Sequence, residues 1–299
     1  MISKKLETEK STIIFEGYQS PEEMVRTIKG RKVPSYATEY AHLQGLSYPR
    51  KWWEGFQSRE ELEKLMMVGA QDPEKVAIAR DFADKMAGER LEKSKLIKSV
   101  AGSRAHVPSV LIGRPDCRIR AVKPMIGQKV VKITIDMGIA GGVTQEQVDR
   151  IGKIIVSAIA ALEADKCKVR LDVVTTTVFD KYRYKAPKTC IMCMRMNVKD
   201  IDFKLNISQF MFWCGTTAVN RGLSFNWRAT HPDFRRNYAK GMGVSIGNLL
   251  YEYSDDLEYI KNNLLFGGLY LNLTQLINET RDMTDEQASE YVQKIMLED

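Results

Sequence analysis

Between residues 129 and 174 the pattern of apolar residues changes period twice, and this constrains the fold more than any other feature of the chain. In Lys129-Val-Val-Lys-Ile-Thr-Ile-Asp136, Val131, Ile133 and Ile135 alternate with Lys132 and Thr134, the period-2 signature of a half-buried strand. A small-residue run, Met137-Gly-Ile-Ala-Gly-Gly-Val143, follows. Thr144 and Gln147 then stand at the two positions of a capping box. From there Val148, Ile151, Ile155, Ile159 and Leu162 recur at helical spacing, so a helix over Thr144–Glu163 is expected to lie on a sheet. The chain returns in Val169-Arg-Leu-Asp-Val-Val174. A strand, a helix of this length and a second strand form a crossover, which joins parallel strands with right-handed connectivity. The region from about 107 to 200 is therefore expected to be a Rossmann-like α/β core.

Weaker signals surround this unit. Cys190–Val198 reads as a third strand, followed by helices near 205–214 and 230–240. A strand or short helix at 243–251, an apolar segment Leu264–Leu273 and a terminal helix Thr284–Met296 complete the chain. Toward the N-terminus, Phe15-Glu-Gly-Tyr-Gln-Ser-Pro-Glu-Glu-Met24 reappears 38 residues later as Trp53-Glu-Gly-Phe-Gln-Ser-Arg-Glu-Glu-Leu62. Each copy reads as an aromatic, a Gly turn, a second aromatic and a helix opened by a Ser-x-x-Glu box, Ser20/Glu23 and Ser58/Glu61. Either a duplicated packing unit or a set of partner-binding aromatics (Tyr18, Trp52, Trp53, Phe56) fits this echo. A charged helix is expected over about 73–99. The organisation expected is a mainly helical N-terminal region at 1–105, an α/β core at 106–272 and an acidic C-terminal helix at 273–299.

Charge is unevenly placed. Residues 106–240 carry 23 Lys and Arg against 11 Asp and Glu, a net +12, whereas residues 241–299 carry 3 against 11, a net −8. Such asymmetry suits a polyanion-binding face, or an acidic tail that folds back on a basic partner, including a neighbouring subunit. Local nucleic-acid candidates are Arg228, His231, Arg235 and Arg236 in Arg228-Ala-Thr-His-Pro-Asp-Phe-Arg-Arg236, and Arg183 and Lys185 in Tyr182-Arg-Tyr-Lys185. The structural alternative makes Thr230 and Pro232 a helix start, with the arginines paired to the acidic tail.

Catalytic and metal signatures are lacking in the sequence. The five cysteines are odd in number and scattered, as expected of thiols in a reducing compartment. Cys190-Ile-Met-Cys193 has metal or redox spacing, but strand alternation sends the two thiols to opposite faces, so core packing is the expected role. No Gly-x-Ser-x-Gly is present, and no Cys stands beside a plausible His. No apolar run is long enough to span a bilayer, and MISKKLETEK lacks the apolar core of a signal peptide, so no membrane association is expected.

Together the strand, small-residue loop, helix with Arg150-Ile-Gly152 and Leu162-Glu163, and strand Lys168–Val174 resemble the first half of a von Willebrand factor A-like domain. The chain as a whole resembles an uncharacterised family of bacteriophage proteins. That likeness rests on Trp53-Glu-Gly-Phe-Gln-Ser-x-Glu-Glu, Val107-Pro-x-x-Leu-x-Gly-x-Pro-Asp-Cys117, the crossover, Asn197-Val-Lys-Asp200 and His231-Pro-x-x-Arg-Arg236. The resemblance implies a phage origin and a Rossmann-like core, and carries no activity. Von Willebrand A domains bind metal through Asp-x-Ser-x-Ser, whereas this chain has Asp136-Met-Gly138-Ile-Ala140, without either hydroxyl. No metal and no cofactor is therefore expected. Gly138, Gly141 and Gly142 before a helix start leave an anion or nucleotide cradle open beside simple turn formation, although their spacing matches neither glycine-rich phosphate motif. The expectation is a degenerate von Willebrand A-like core in a non-enzymatic binding or assembly protein. A phage or host protein is the foremost partner, and a homo-oligomer is compatible. The alternatives are a DNA- or RNA-binding protein of phage replication or transcription, and a nucleotide-handling enzyme. The expected location is the host cytoplasm or the virion.

Overall fold

The computed structural model describes residues 1–31, 59–70, 72–91, 95–99, 104–105, 110–111, 118–122, 129–164, 167–203, 205–233, 244–245, 253–265 and 267–298. The expected crossover is present at its centre. Strand β6 (Val130–Asp136), helix α4 (Gln145–Ala164) and strand β7 (Lys168–Phe179) follow in order, and β6 pairs parallel with β7 from Val130↔Lys168 to Asp136↔Val174. Helix α4 is held at its start by the reciprocal box, with Gln147 N–H bonded to Thr144 Oγ1 and Thr144 N–H bonded to the Gln147 side-chain oxygen. Val148, Ile151, Ile155, Ile159 and Leu162 are all buried against the sheet. Each such side chain contributes roughly 1.5–3 kcal/mol relative to exposure.

Strands on both sides extend this unit into a mixed sheet. Strand β8 (Thr189–Lys199) pairs antiparallel with β7. Strand β2 (Ser11–Tyr18) pairs parallel with β8, and β1 (Ile2–Glu7) antiparallel with β2 at one edge. On the far side β10 (Leu269–Asn272) lies parallel to β6. Among the described residues the order is thus β1-β2-β8-β7-β6-β10, with the short β9 (Val244–Ser245) paired to the end of β7. The expected N-terminal region does not simply precede the core, because it supplies two strands to its sheet. Residues 15–18, expected to turn at Gly17, continue as strand instead. The reason is tertiary: Gly17 faces Arg195 across β8, and a Cβ there would come within 3.1 Å of its guanidinium.

Helices cover both faces. On one lie α4, α6 (Ile207–Gly215), α9 (Leu273–Glu279) and α10 (Asp285–Glu298), joined by α1 (Pro21–Gly30), α2 (Arg59–Val68) and α3 (Pro73–Leu91). On the other, α8 (Ser254–Leu264) packs Leu257, Ile260 and Leu264 against Ile13, Phe15, Val174, Val178, Ile191 and Cys193. Cys190 and Cys193 do face opposite sides of the sheet, in separate apolar clusters. Helices α1 and α2 begin in the two copies of the N-terminal echo. They bury matching residues, Met24 with Leu62 and Ile28 with Met66, as a duplicated packing unit requires. Helices α4 and α6 approach closely at glycines: a Cβ on Gly152 of α4 would meet Gly215 Cα of α6 at 2.7 Å.

Two expected helices differ. The helix expected to reach residue 99 ends at Leu91, and Lys95–Ser99 forms strand β3 of a second sheet with β4 (Arg104–Ala105) and β5 (Arg118–Val122). The partner that makes 95–99 a strand lies some twenty residues on, beyond any local pattern. Nor does a helix start at Thr230. After a buried π-helix (Ala218–Ser224), helix α7 (Phe225–Thr230) ends there with His231 as its cap, and residues 234–240 lie outside those described. The acidic tail folds back on its own chain: Asp285 pairs with Arg150 and Glu286 with Lys85, while Ala288, Val292 and Met296 enter the core.

Candidate functional site

The loop from Asp136 to Thr144 leaves the sheet where β6 stops and β7 continues, the kind of position at which parallel α/β sheets bind ligands. Asp136 is fully buried and its carboxylate is occupied by the protein itself. Oδ1 accepts the N–H of Gly138 at 2.8 Å and of Thr176 at 3.4 Å, and Oδ2 accepts the hydroxyls of Thr176 and Tyr270. Burial pushes the Asp136 carboxyl above the usual aspartate range, against the pull of these four donors.

The rest of the loop is turned inward as well. The N–H of Ile139 bonds to Met137 O, that of Ala140 to Thr274 Oγ1 and that of Val143 to Ala140 O. Its carbonyls converge on the π-helix. Arg221 donates to the oxygens of Ala140, Gly141 and Val143, at 3.4, 3.1 and 2.7 Å, and Asn220 to that of Ile139. An anion cradle needs convergent N–H groups, whereas this loop converges carbonyls on a cation. Gly141 and Gly142 sit in an exposed turn without left-handed backbone, and a Cβ on either would touch nothing within 4 Å. Among the described residues no group of three or more His, Cys, Asp or Glu is placed to hold a metal ion.

The second polar cluster lies where α7 meets β2 and is centred on a residue that the sequence did not single out. Glu16 is 2% exposed. It accepts from Tyr18, Arg31 and Trp227 Nε1, the last at 2.6 Å, and faces His231 Nε2 at 3.1 Å. Burial alone would raise its carboxyl, but His231, Arg31, Tyr18 and Trp227 together hold it well below the usual glutamate range. His231 Nδ1 accepts the N–H of Asp233, which fixes the ring. Next to it Arg228 donates to Thr177 Oγ1 at 2.6 Å and to Ser224 O, with its guanidinium 4.3 Å from the Phe225 ring. Arg228 and His231 are therefore core residues, 4% and 2% exposed, and present no cation at the surface that a nucleic acid would track. The Arg228 guanidinium is solvated by these hydroxyl and carbonyl oxygens.

Tyr18 is likewise completely buried, its ring in the core and its hydroxyl on Glu16, so it is no surface knob. Trp52, Trp53, Phe56, Arg235 and Arg236 lie outside the described residues. Arg183 and Lys185 are exposed in the β7–β8 connection, at the far end of the sheet from the start of β7. The sequence-derived candidates among the described residues thus fall in three places, a loop locked by Arg221, a buried cluster around Glu16 and an exposed turn. Glu16 and Arg221 were missed because a single charged residue in an apolar stretch has no motif; the only signal was its isolation there.

Burial, then the nearby Asp136 carboxylate, pushes the Cys193 thiol up, and burial raises that of Cys214, so neither supplies a thiolate nucleophile. No helix among the described residues is long and apolar enough to cross a membrane. No curated protein and no solved structure matches this chain. The sequence model of a domain of unknown function, DUF7192, matches residues 7–299, and the chain belongs to that family.

Proposed function

We propose that the chain is a phage-encoded, non-enzymatic binding or assembly module built on a degenerate von Willebrand A-like core. Its strand-to-helix loop serves as scaffold, and its work is done by surfaces that meet a phage or host protein, in the host cytoplasm or the virion. The observation that carries this reading is the occupancy of Asp136. The one carboxylate at the ligand end of β6 is buried and engaged by Gly138, Thr176 and Tyr270, which leaves it no open coordination position. The locking of the same loop by Arg221 supports it, because a nucleotide would have to displace an internal cation to reach the backbone.

A thermal-melt screen tests the reading. A ligand that binds only the folded chain raises its apparent stability in proportion to the logarithm of its concentration. Mg²⁺, Mn²⁺, ATP and GTP are expected to leave the melting temperature unchanged. A concentration-dependent rise with any of them would overturn the scaffold reading in favour of a nucleotide-handling enzyme. Photo-crosslinking in the infected host is expected to yield a discrete protein adduct.

A further inference from the structure

The turn between β7 and β8 is closed by a dense set of local hydrogen bonds. Asp180 caps a four-residue helix, α5 (Lys181–Tyr184), through Oδ1 bonds from the N–H of Tyr182 and Arg183 at 2.9 and 3.0 Å, and its Oδ2 accepts the Tyr253 hydroxyl at 2.8 Å. Lys185 closes the helix in the left-handed region, φ 50°, with its N–H directed at the carbonyls of Lys181 and Tyr182. Ala186 N–H bonds to Lys181 O, and Lys181 N–H to Thr189 Oγ1. Lys188 ties the turn to the neighbouring β1–β2 turn through Thr8 O at 2.6 Å. The turn is therefore preorganised by its own hydrogen bonds.

On this rigid support Tyr182 is 80% exposed, the largest exposure among the exposed large hydrophobic side chains described. A lone exposed aromatic is ordinary; the informative feature is its setting. Lys181 Nζ stands 4.9 Å from the Tyr182 ring centre, and Arg183 and Lys185 are exposed on either side of position 184. Residues 180–188 carry four cations and one carboxylate; Lys188 turns to Glu7 and Thr8, and the Asp180 carboxylate caps the helix and accepts Tyr253.

We propose that the β7–β8 turn is a contact site for single-stranded nucleic acid, with Tyr182 as the stacking platform and Lys181, Arg183 and Lys185 as phosphate contacts. An exposed ring flanked by cations is the arrangement that binds an unpaired base and its phosphates together. An acidic peptide would use the cations and leave the ring idle. A paired base offers no open face for stacking, and a single helical turn is too short to read a groove. This goes beyond the reading of the core and does not rest on it.

The test is fluorescence anisotropy of the full chain with labelled oligothymidylate and oligouridylate across a salt series. Binding is expected to weaken with salt. Lys181→Ala/Arg183→Ala/Lys185→Ala is expected to lower affinity at least tenfold and to flatten the log–log salt slope by about 2, at about 0.7 per single-strand phosphate contact. Tyr182→Ala is expected to weaken binding by roughly 5- to 100-fold, the range for one base stacked on an aromatic, with the slope unchanged and Tyr182→Phe close to wild type. These substitutions fall on exposed or half-buried side chains outside the core, and circular dichroism melts check that the fold is kept. Absence of binding at low salt, or wild-type affinity in both the charge and Tyr182→Ala variants, would overturn the proposal. So would capture by phosphatidylserine vesicles in place of oligonucleotides. A Mg²⁺ or nucleotide response in the melt screen would defeat the scaffold reading and leave this contact standing.

Discussion

Replacing Glu16 by Ala removes an acceptor that three donors share in the core. The Trp227 indole N–H, the Tyr18 hydroxyl and the Arg31 guanidinium all end on this carboxylate, and His231 faces it at 3.1 Å. Breaking a buried ion pair by deleting one partner costs about 3–5 kcal/mol, because the surviving charge has no solvent. Here the survivor is Arg31, whose side chain is 12% exposed, and water reaching it sets the lower end of that range. Each orphaned neutral donor adds about 1–3 kcal/mol where it cannot relax. Donors that share an acceptor do not add in full, so a loss of about 4 kcal/mol is expected. Urea unfolding followed by tryptophan fluorescence and far-ultraviolet circular dichroism measures it. The pH dependence supplies a second check. The folded carboxyl is held well below its unfolded value of about 4.3, so its stabilisation is complete above that value and is lost as pH falls through the acid range. Glu16→Ala should remove that component of acid sensitivity. A loss below about 1 kcal/mol, with an unchanged acid limb, would refute the view that this cluster organises the core.

Asp136 carries the opposite sign. Burial raises its folded pKa, so the ionised form costs stability, and that cost grows as pH rises from the unfolded aspartate value through the folded one. Asp136→Asn keeps an oxygen for the N–H groups of Gly138 and Thr176 and turns two donors toward the Thr176 and Tyr270 hydroxyls, which can rotate to accept. It should therefore fold within about 1 kcal/mol of wild type at neutral pH and lose less stability between pH 4 and 8; denaturant titrations at both ends decide the point. Gly152→Val should lower stability by about 1–3 kcal/mol, because its Cβ would press on the Gly215 backbone at 2.7 Å; a thermal melt unchanged from wild type would contradict that close approach.

Local chemistry determined much of this molecule without help from the fold. The change from period 2 to helical spacing placed β6, α4 and β7, because those periods follow from backbone geometry alone. Capping boxes at Ser20/Glu23, Thr144/Gln147 and Thr284/Gln287 mark helix starts because a side chain bonds a backbone three residues away. The facing of Cys190 and Cys193 is local for the same reason. Only the tertiary structure decided that β2 lies beside β8, 178 residues further along the chain (Ser11↔Thr189), and that Lys95–Ser99 is a strand by virtue of β5. It also decided the fate of the charged residues. Arg228 and His231 read as surface groups while their neighbours along the chain were the only context. They are buried because Thr177 of β7 and Glu16 of β2, brought from afar along the chain, join the local Ser224 carbonyl in replacing the water they would otherwise need. A charge's exposure depends on partners distant in sequence, which periodicity does not encode. Arg183 and Lys185, in a turn closed by its own hydrogen bonds, kept the exposure their sequence suggested.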